Sequence, residues 1–210
     1  MTPDNKAITT NSEAGERSPA PRARRRKSIA YRIIKTVVDL VIFSMLASIM
    51  FTLKVVLAGI PNIEPVSLLI IVYTAVYRFR ALIPIYIYVI LEGLLFGFSV
   101  YWIGYLYVWA ILWAVIMLIP RRAFDANGRR AAVLGVCLAL ISGAFGLSFG
   151  ALFAPSQIAI YGLSFDAMLA WIASGLPYDI LHGCGNFAFA AAALPLIKLI
   201  KKLESQRTFK

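Results

Sequence analysis

Six apolar runs punctuate the chain, and the arginine- and lysine-rich segments fall into alternate gaps between them. The runs cover residues 37–60, 65–77, 81–99, 102–119, 131–153 and 178–200. Asp39 and Lys54 are the only charges in the first. A helix needs roughly 17–25 apolar residues to cross a bilayer. The longer runs reach that length, and 65–77 needs flanking residues to do so. Between the runs lie Arg78 and Arg80, then Arg121, Arg122, Arg129 and Arg130. Lys198, Lys201 and Lys202 close the last run, and a basic segment at 22–35 precedes the first. Placing every basic cluster on the cytoplasmic side satisfies the positive-inside rule throughout. The pattern therefore predicts an all-α integral membrane protein, a six-transmembrane-helix bundle with both termini cytoplasmic. Its expected parts are a disordered basic tail (1–30), a membrane domain (31–204) and a short cytoplasmic tail (205–210).

Local signals set the expected boundaries. Gly59 and Pro61 end the first span, and Pro65 suits the first turn of the second. The second and third spans meet at a very short basic turn, 77–80. The fourth begins near Tyr101 and closes at Pro120. Gly143, Gly146 and Gly150 form a small-residue stripe on the fifth, suited to close helix packing. The longest outer connection is expected at 154–165. A short interfacial helix follows at 168–174, anchored by Trp171, and Gly175-Leu176-Pro177 breaks the chain before the last span. Without that break, the last helix would start near Asp166 and exceed the bilayer thickness.

Composition supports the membrane reading. The chain has 210 residues, 60% of them hydrophobic, with a mean hydropathy of +0.79. This excludes an ordinary soluble domain. The net charge of +11 sits in loops and tails that face anionic headgroups, and no nucleic-acid-binding module accompanies it. The stretch RARRRK at 22–27 is a polybasic collar. The run behind it is too long for a signal peptide and lacks a small-residue cleavage site, so it is expected to remain as the first span. Cys137 and Cys184 share no metal-binding or redox spacing and are expected near opposite membrane faces, unbridged.

Ionisable groups at membrane depth are costly and mark a pathway, a pair or a binding site. Lys54, Asn62, Glu64, Glu92, Asp179, His182 and Asn186 all fall in the expected outer half. Asp179, His182 and Asn186 share one helical face at i, i+3, i+7. One reading is an outward-facing pocket in which Glu92 and Asp179 receive a ligand's donors and Lys54 or His182 meets its anionic groups. The other is a structural network, with Lys54 neutralised by Glu92 and Asp179 bonded to His182. Tyr101, Tyr105 and Trp109 lie on one face at i, i+4, i+8. Tyr105 and Trp109 are deep enough to line a pocket for a flat ring or simply to pack.

Catalytic and metal chemistry find little support. His182 is the single histidine, and no HExxH, GxSxG or P-loop occurs. No catalytic residue, metal ligand or cofactor is assigned. An intramembrane hydrolase built on His182, a stand-alone channel or secondary transporter, and a structural scaffold are the rival classes. The few polar positions in the inner halves of the spans weigh against a face-to-face path.

Four stretches, taken together, resemble the substrate-binding S components of energy-coupling factor (ECF) transporters, in a branch whose substrates are uncharacterised. They are LAGIPNIEPVSLLIIVY (57–73), ILEGLLFG (90–97), YWIGYLYVW (101–109) and WIASGLPYDILHGCGNF (171–187). The resemblance runs from about residue 37 to 202. It implies a six-helix protein of the cell (plasma or inner) membrane that captures a vitamin or related micronutrient at the outer face. It further implies delivery inward with a membrane T component and two cytoplasmic ATPase subunits. In that family small residues on the first helix, typically Ala-xxx-Ala, meet the T component; here Ser44-xxx-Ser48, with Ala47 beside it, stands in that place. The family's ligand region coincides with Asn62, Glu64, Tyr105, Asp179, His182 and Asn186. Glu92 and Trp109 join the candidate site from burial cost and the aromatic face.

Overall fold

The computed structural model describes residues 21–208. The expectation of disorder over 1–20 lies outside the described residues. By its contacts the chain divides into residues 1–40 and 41–210, and every candidate site residue belongs to the second unit.

Among the described residues eight α-helices follow one another: α1 (Pro21–Val56), α2 (Val66–Tyr77), α3 (Leu82–Phe96), α4 (Val100–Met117), α5 (Gly128–Leu147), α6 (Phe149–Tyr161), α7 (Phe165–Phe189) and α8 (Ala193–Thr208). No strand occurs among the described residues. Helical stretches at Tyr31–Val56, Val66–Phe96, Val100–Met117, Gly128–Tyr161 and Phe165–Gln206 are long and apolar enough to cross a membrane. This is the make-up of a multi-pass α-helical membrane protein.

Helix α2 is the centre of the second unit. Each of its residues from Val66 to Val76 is buried, as expected of a helix apolar on every side. It packs chiefly on α4 and α8. A 3-10 turn, Arg78–Ala81, joins it to α3. Glu64, before α2, and Glu92, in α3, line the same cavity. The chain therefore doubles back at this turn, and the 66–96 stretch is a hairpin. Arg78 makes the bend with φ 56°, a backbone state that disfavours side chains other than Asn, Asp or none. Its guanidinium donates to the carbonyls of Met117 (2.6 Å) and Ile119 (3.1 Å). Its own carbonyl accepts the Trp113 indole N–H at 3.1 Å. Carbonyls at the end of α4 and just beyond it, which have no helical partner, thus hold the strained residue in place.

Helices α5 and α7 make the most extensive helix contact of the second unit. A Cβ added at Gly146 would meet the Gly183 backbone at 2.8 Å, and one at Gly143 would meet the Gly183 carbonyl at 3.4 Å. The predicted glycine stripe is thus a true backbone-to-backbone seam at Gly143 and Gly146. Gly150 belongs instead to the first turn of α6.

Three expectations need correction. Gly175-Leu176-Pro177 does not break the chain, because α7 runs through it with Pro177 inside. A proline there costs one ladder bond, which membrane helices tolerate. The interruption comes at a 3-10 turn, Ala190–Ala192. Pro195 lies four residues beyond Ala191, and its ring crowds that carbonyl while removing the N–H it would bind. The expected outer connection at 154–165 is mostly α6, with Pro155 inside, leaving only 162–164 as a link. Residues 21–30, assigned to the tail, belong to α1. That segment is rich in Arg, Ala and Lys, all strong helix formers. Cys137 and Cys184 are free.

Candidate functional site

Apart from Lys54, the basic side chains whose contacts are described for the second unit gather at one end. Arg121 donates to the Val76 carbonyl at 3.3 Å, and Lys198 to the Asn127 side chain at 3.1 Å. Lys201 pairs with Asp125 at 2.6 Å, and the Tyr77 hydroxyl donates to Glu204 at 3.0 Å. The candidate site lies at the opposite end, where the loop before α2, the ends of α1 and α3, and the start of α4 converge.

Asn62 sets the loop. Its φ of 57° is one that asparagine tolerates better than most residues. The next turn carries Glu64 inward, where it is 4% exposed and takes an ion pair from Lys54 of α1. Glu92, also 4% exposed, accepts from the Tyr88 hydroxyl one helical turn away at 3.0 Å. Asp179 on α7 accepts the Gly150 backbone N–H at 3.0 Å. That amide is one of the orphan donors at the start of α6, so a carboxylate there caps the helix from across the fold. A Cβ at Gly150 would collide with the carboxylate. Both side-chain pairs of the structural-network alternative are therefore replaced. Lys54 bonds Glu64 rather than Glu92, and Asp179 bonds a backbone amide rather than His182.

Two adjoining cavities open among these residues. One, of about 330 Å³, is lined by Lys54, Asn62, Glu64, Glu92, Tyr101, Trp102 and Tyr105, with apolar residues from the loop. The second, of about 340 Å³, is lined by Asn62, Tyr101, Tyr105, Phe149, Phe153, Trp171, Tyr178 and Asp179, with Gly150, Ser174 and Gly175. Asn62, Tyr101 and Tyr105 belong to both, so the two are lobes of one site. Among the sequence-predicted residues, Asn62, Glu64, Glu92, Tyr105 and Asp179 line it. No protein-family model, curated protein or solved structure matches this chain. The site must therefore be read from its own chemistry.

Trp109, His182 and Asn186 stand behind the lobes instead of lining them. Phe149 is the divider. It lines the second lobe and packs edge-on to the His182 ring, with centroids 4.5 Å apart, and against Trp109 at 5.5 Å. Trp109 in turn stacks on Tyr105 at 5.6 Å. His182 is 1% exposed, and neither ring nitrogen has a hydrogen-bond partner. The Trp109 indole N–H and the Asn186 carbonyl oxygen are also unpartnered. Asn186 donates to Ser67 at 3.0 Å. Buried polar atoms usually find partners, and this concentration of unmet capacity sits directly behind the aromatic wall.

Ser44 and Ser48 lie on the exposed face of α1, with the Ser48 hydroxyl donating to the Ser44 carbonyl at 2.9 Å. Ala47 points the other way and is fully buried. The structure thus separates the three residues the sequence grouped for docking.

Sequence reasoning missed several residues. Phe149 and Phe153 looked like generic apolar filler. Tyr88 gave no sign that it would bond Glu92, although the i, i+4 spacing was there to read. Gln157 is 3% exposed with its amide nitrogen unpartnered. The sequence pattern places 154–165 in a connection, where a glutamine carries no signal.

Proposed function

We propose that this chain is a solute-binding membrane subunit of the ECF S-component type. It has six passes, with both termini cytoplasmic, in the plasma or inner membrane. It binds a vitamin-like micronutrient from outside and hands it inward with a T component and two ATPase subunits, doing no covalent chemistry itself. The doubling back at Arg78–Ala81 supports the six-pass count, and the common placement of the basic residues supports a cytoplasmic side there.

One observation carries the reading. A Lys54–Glu64 pair with its carboxylate buried, together with Glu92 and Asp179, surrounds two adjoining, aromatic-walled cavities at the end away from the basic cluster. No residue of the basic end lines either lobe, which favours a blind pocket over a path between faces. Few convergent polar groups on apolar walls are the usual make-up of a small-molecule site.

The test is release of bound small molecules from the purified full chain, read by mass spectrometry, with Tyr105→Ala as the control. A discrete compound that depends on Tyr105 is the expected result. Solute uptake by the chain alone in liposomes, without ATPase partners, would overturn the subunit reading.

A further inference from the structure

We propose that the two-lobed cavity selects a flat nitrogen heterocycle carrying a positive charge, with a hydrogen-bond-donating group at its other end; this rests on the solute-binding reading above. The argument begins with charge. Lys54 and Glu64 cancel each other across one ion pair. That leaves one carboxylate in each lobe, Glu92 in the first and Asp179 in the second. Neither is within salt-bridge distance of a cationic side chain among the described residues. Their partners, the Tyr88 hydroxyl and the Gly150 amide, are neutral donors that orient a carboxylate without cancelling its charge. Glu92 and Asp179 are 4% and 5% exposed, where an uncompensated charge is expensive. A cation brought by the solute removes that cost.

The walls agree with the charge. Tyr101 and Tyr105 border both lobes, and Trp102 and Trp171 border one each. The faces of such rings attract cations and stack on flat rings. Each lobe lies at the small end of the range for ligand pockets, about 300–1,000 Å³, which suits one ring system per lobe. An anionic ring would meet two unpaired carboxylates and only a lysine already engaged.

Three size-matched probes separate the alternatives: 1-methylquinolinium (cation), 4-methylquinoline (neutral) and quinoline-4-carboxylate (anion). Binding is measured by titration calorimetry on the full chain in lipid nanodiscs near neutral pH. The cation should bind at least about tenfold more tightly than the neutral ring, and the anion most weakly. Of Glu92→Gln and Asp179→Asn, the one that removes the carboxylate facing the cation should erase most of that preference. Equal or tighter binding of the neutral or anionic probe, a preference untouched by both variants, or no binding of any probe would overturn the proposal. Binding without charge preference removes this inference and leaves the solute-binding reading standing; absence of any released compound from purified protein strikes that reading instead. Should either variant fail to reach native helicity by circular dichroism, the three probes on the unaltered chain decide the matter.

Discussion

Two ion pairs mark the two ends of the second unit, and they are not alike. At the basic end Lys201 meets Asp125, whose side chain is 63% exposed. At the other end Lys54 meets Glu64, whose side chain is 5% exposed. The first is a solvated contact of a kind that contributes little. The two lysines are alike, at 22% and 23% exposed, but the second pair buries its carboxylate, and losing Lys54 would strand it. The remaining polar groups repeat the contrast. At the basic end, Arg78 and Arg121 donate to backbone carbonyls. At the far end, polar atoms of Trp109, His182 and Asn186 lack partners. The arginines of one end are satisfied by the protein itself, whereas the other end keeps bonding capacity in reserve.

The sharpest way to break the contrast is Lys54→Met. It should destabilise the protein by about 3–5 kcal/mol by leaving Glu64 buried and alone. The double variant with Glu64→Gln should recover most of that loss, read as thermal unfolding in detergent. Next comes Arg78→Ala, expected to cost about 2–4 kcal/mol by removing two charged hydrogen bonds to the α4 carbonyls. Arg78→Gly should cost about 1 kcal/mol less, because glycine accepts the positive φ. Neither should change solute binding at the far end once the protein is folded.

His182→Leu carries the opposite sign. Removing two unpartnered nitrogens should stabilise the fold by about 1–2 kcal/mol, while solute binding weakens. A loss of stability instead would show that the imidazole has partners of its own. The smallest effect belongs to Asp125→Asn, within about 0–1 kcal/mol and smaller still at high salt.

Much of this was legible in the sequence because hydrocarbon tolerates few exceptions. The oily runs, the short basic turn near 77–80 and the start of α4 near Tyr101 follow from hydropathy and charge. The last third was misread because proline is a weak guide inside a membrane helix. Pro177 passes through α7 without a break, whereas Pro195 disturbs the turn before it, and nothing local distinguishes the two. The site residues were visible as charges in oil, but their partners were not. Lys54 lies as plausibly beside Glu92 as beside Glu64 until the loop at 60–65 is folded. Asp179 finds its donor on α6, a helix the sequence had assigned to a loop.

The glycine seam decides which walls of the site can give. With Gly146 against Gly183, helices α5 and α7 touch main chain to main chain, and side-chain rotation cannot loosen them. They act as a single stiff strut carrying Asp179. On the reading proposed above, room to admit a solute lies on the opposite flank, where a Cβ added at Gly59 or Gly97 meets nothing within 4 Å; the strut is the fixed jamb of that opening.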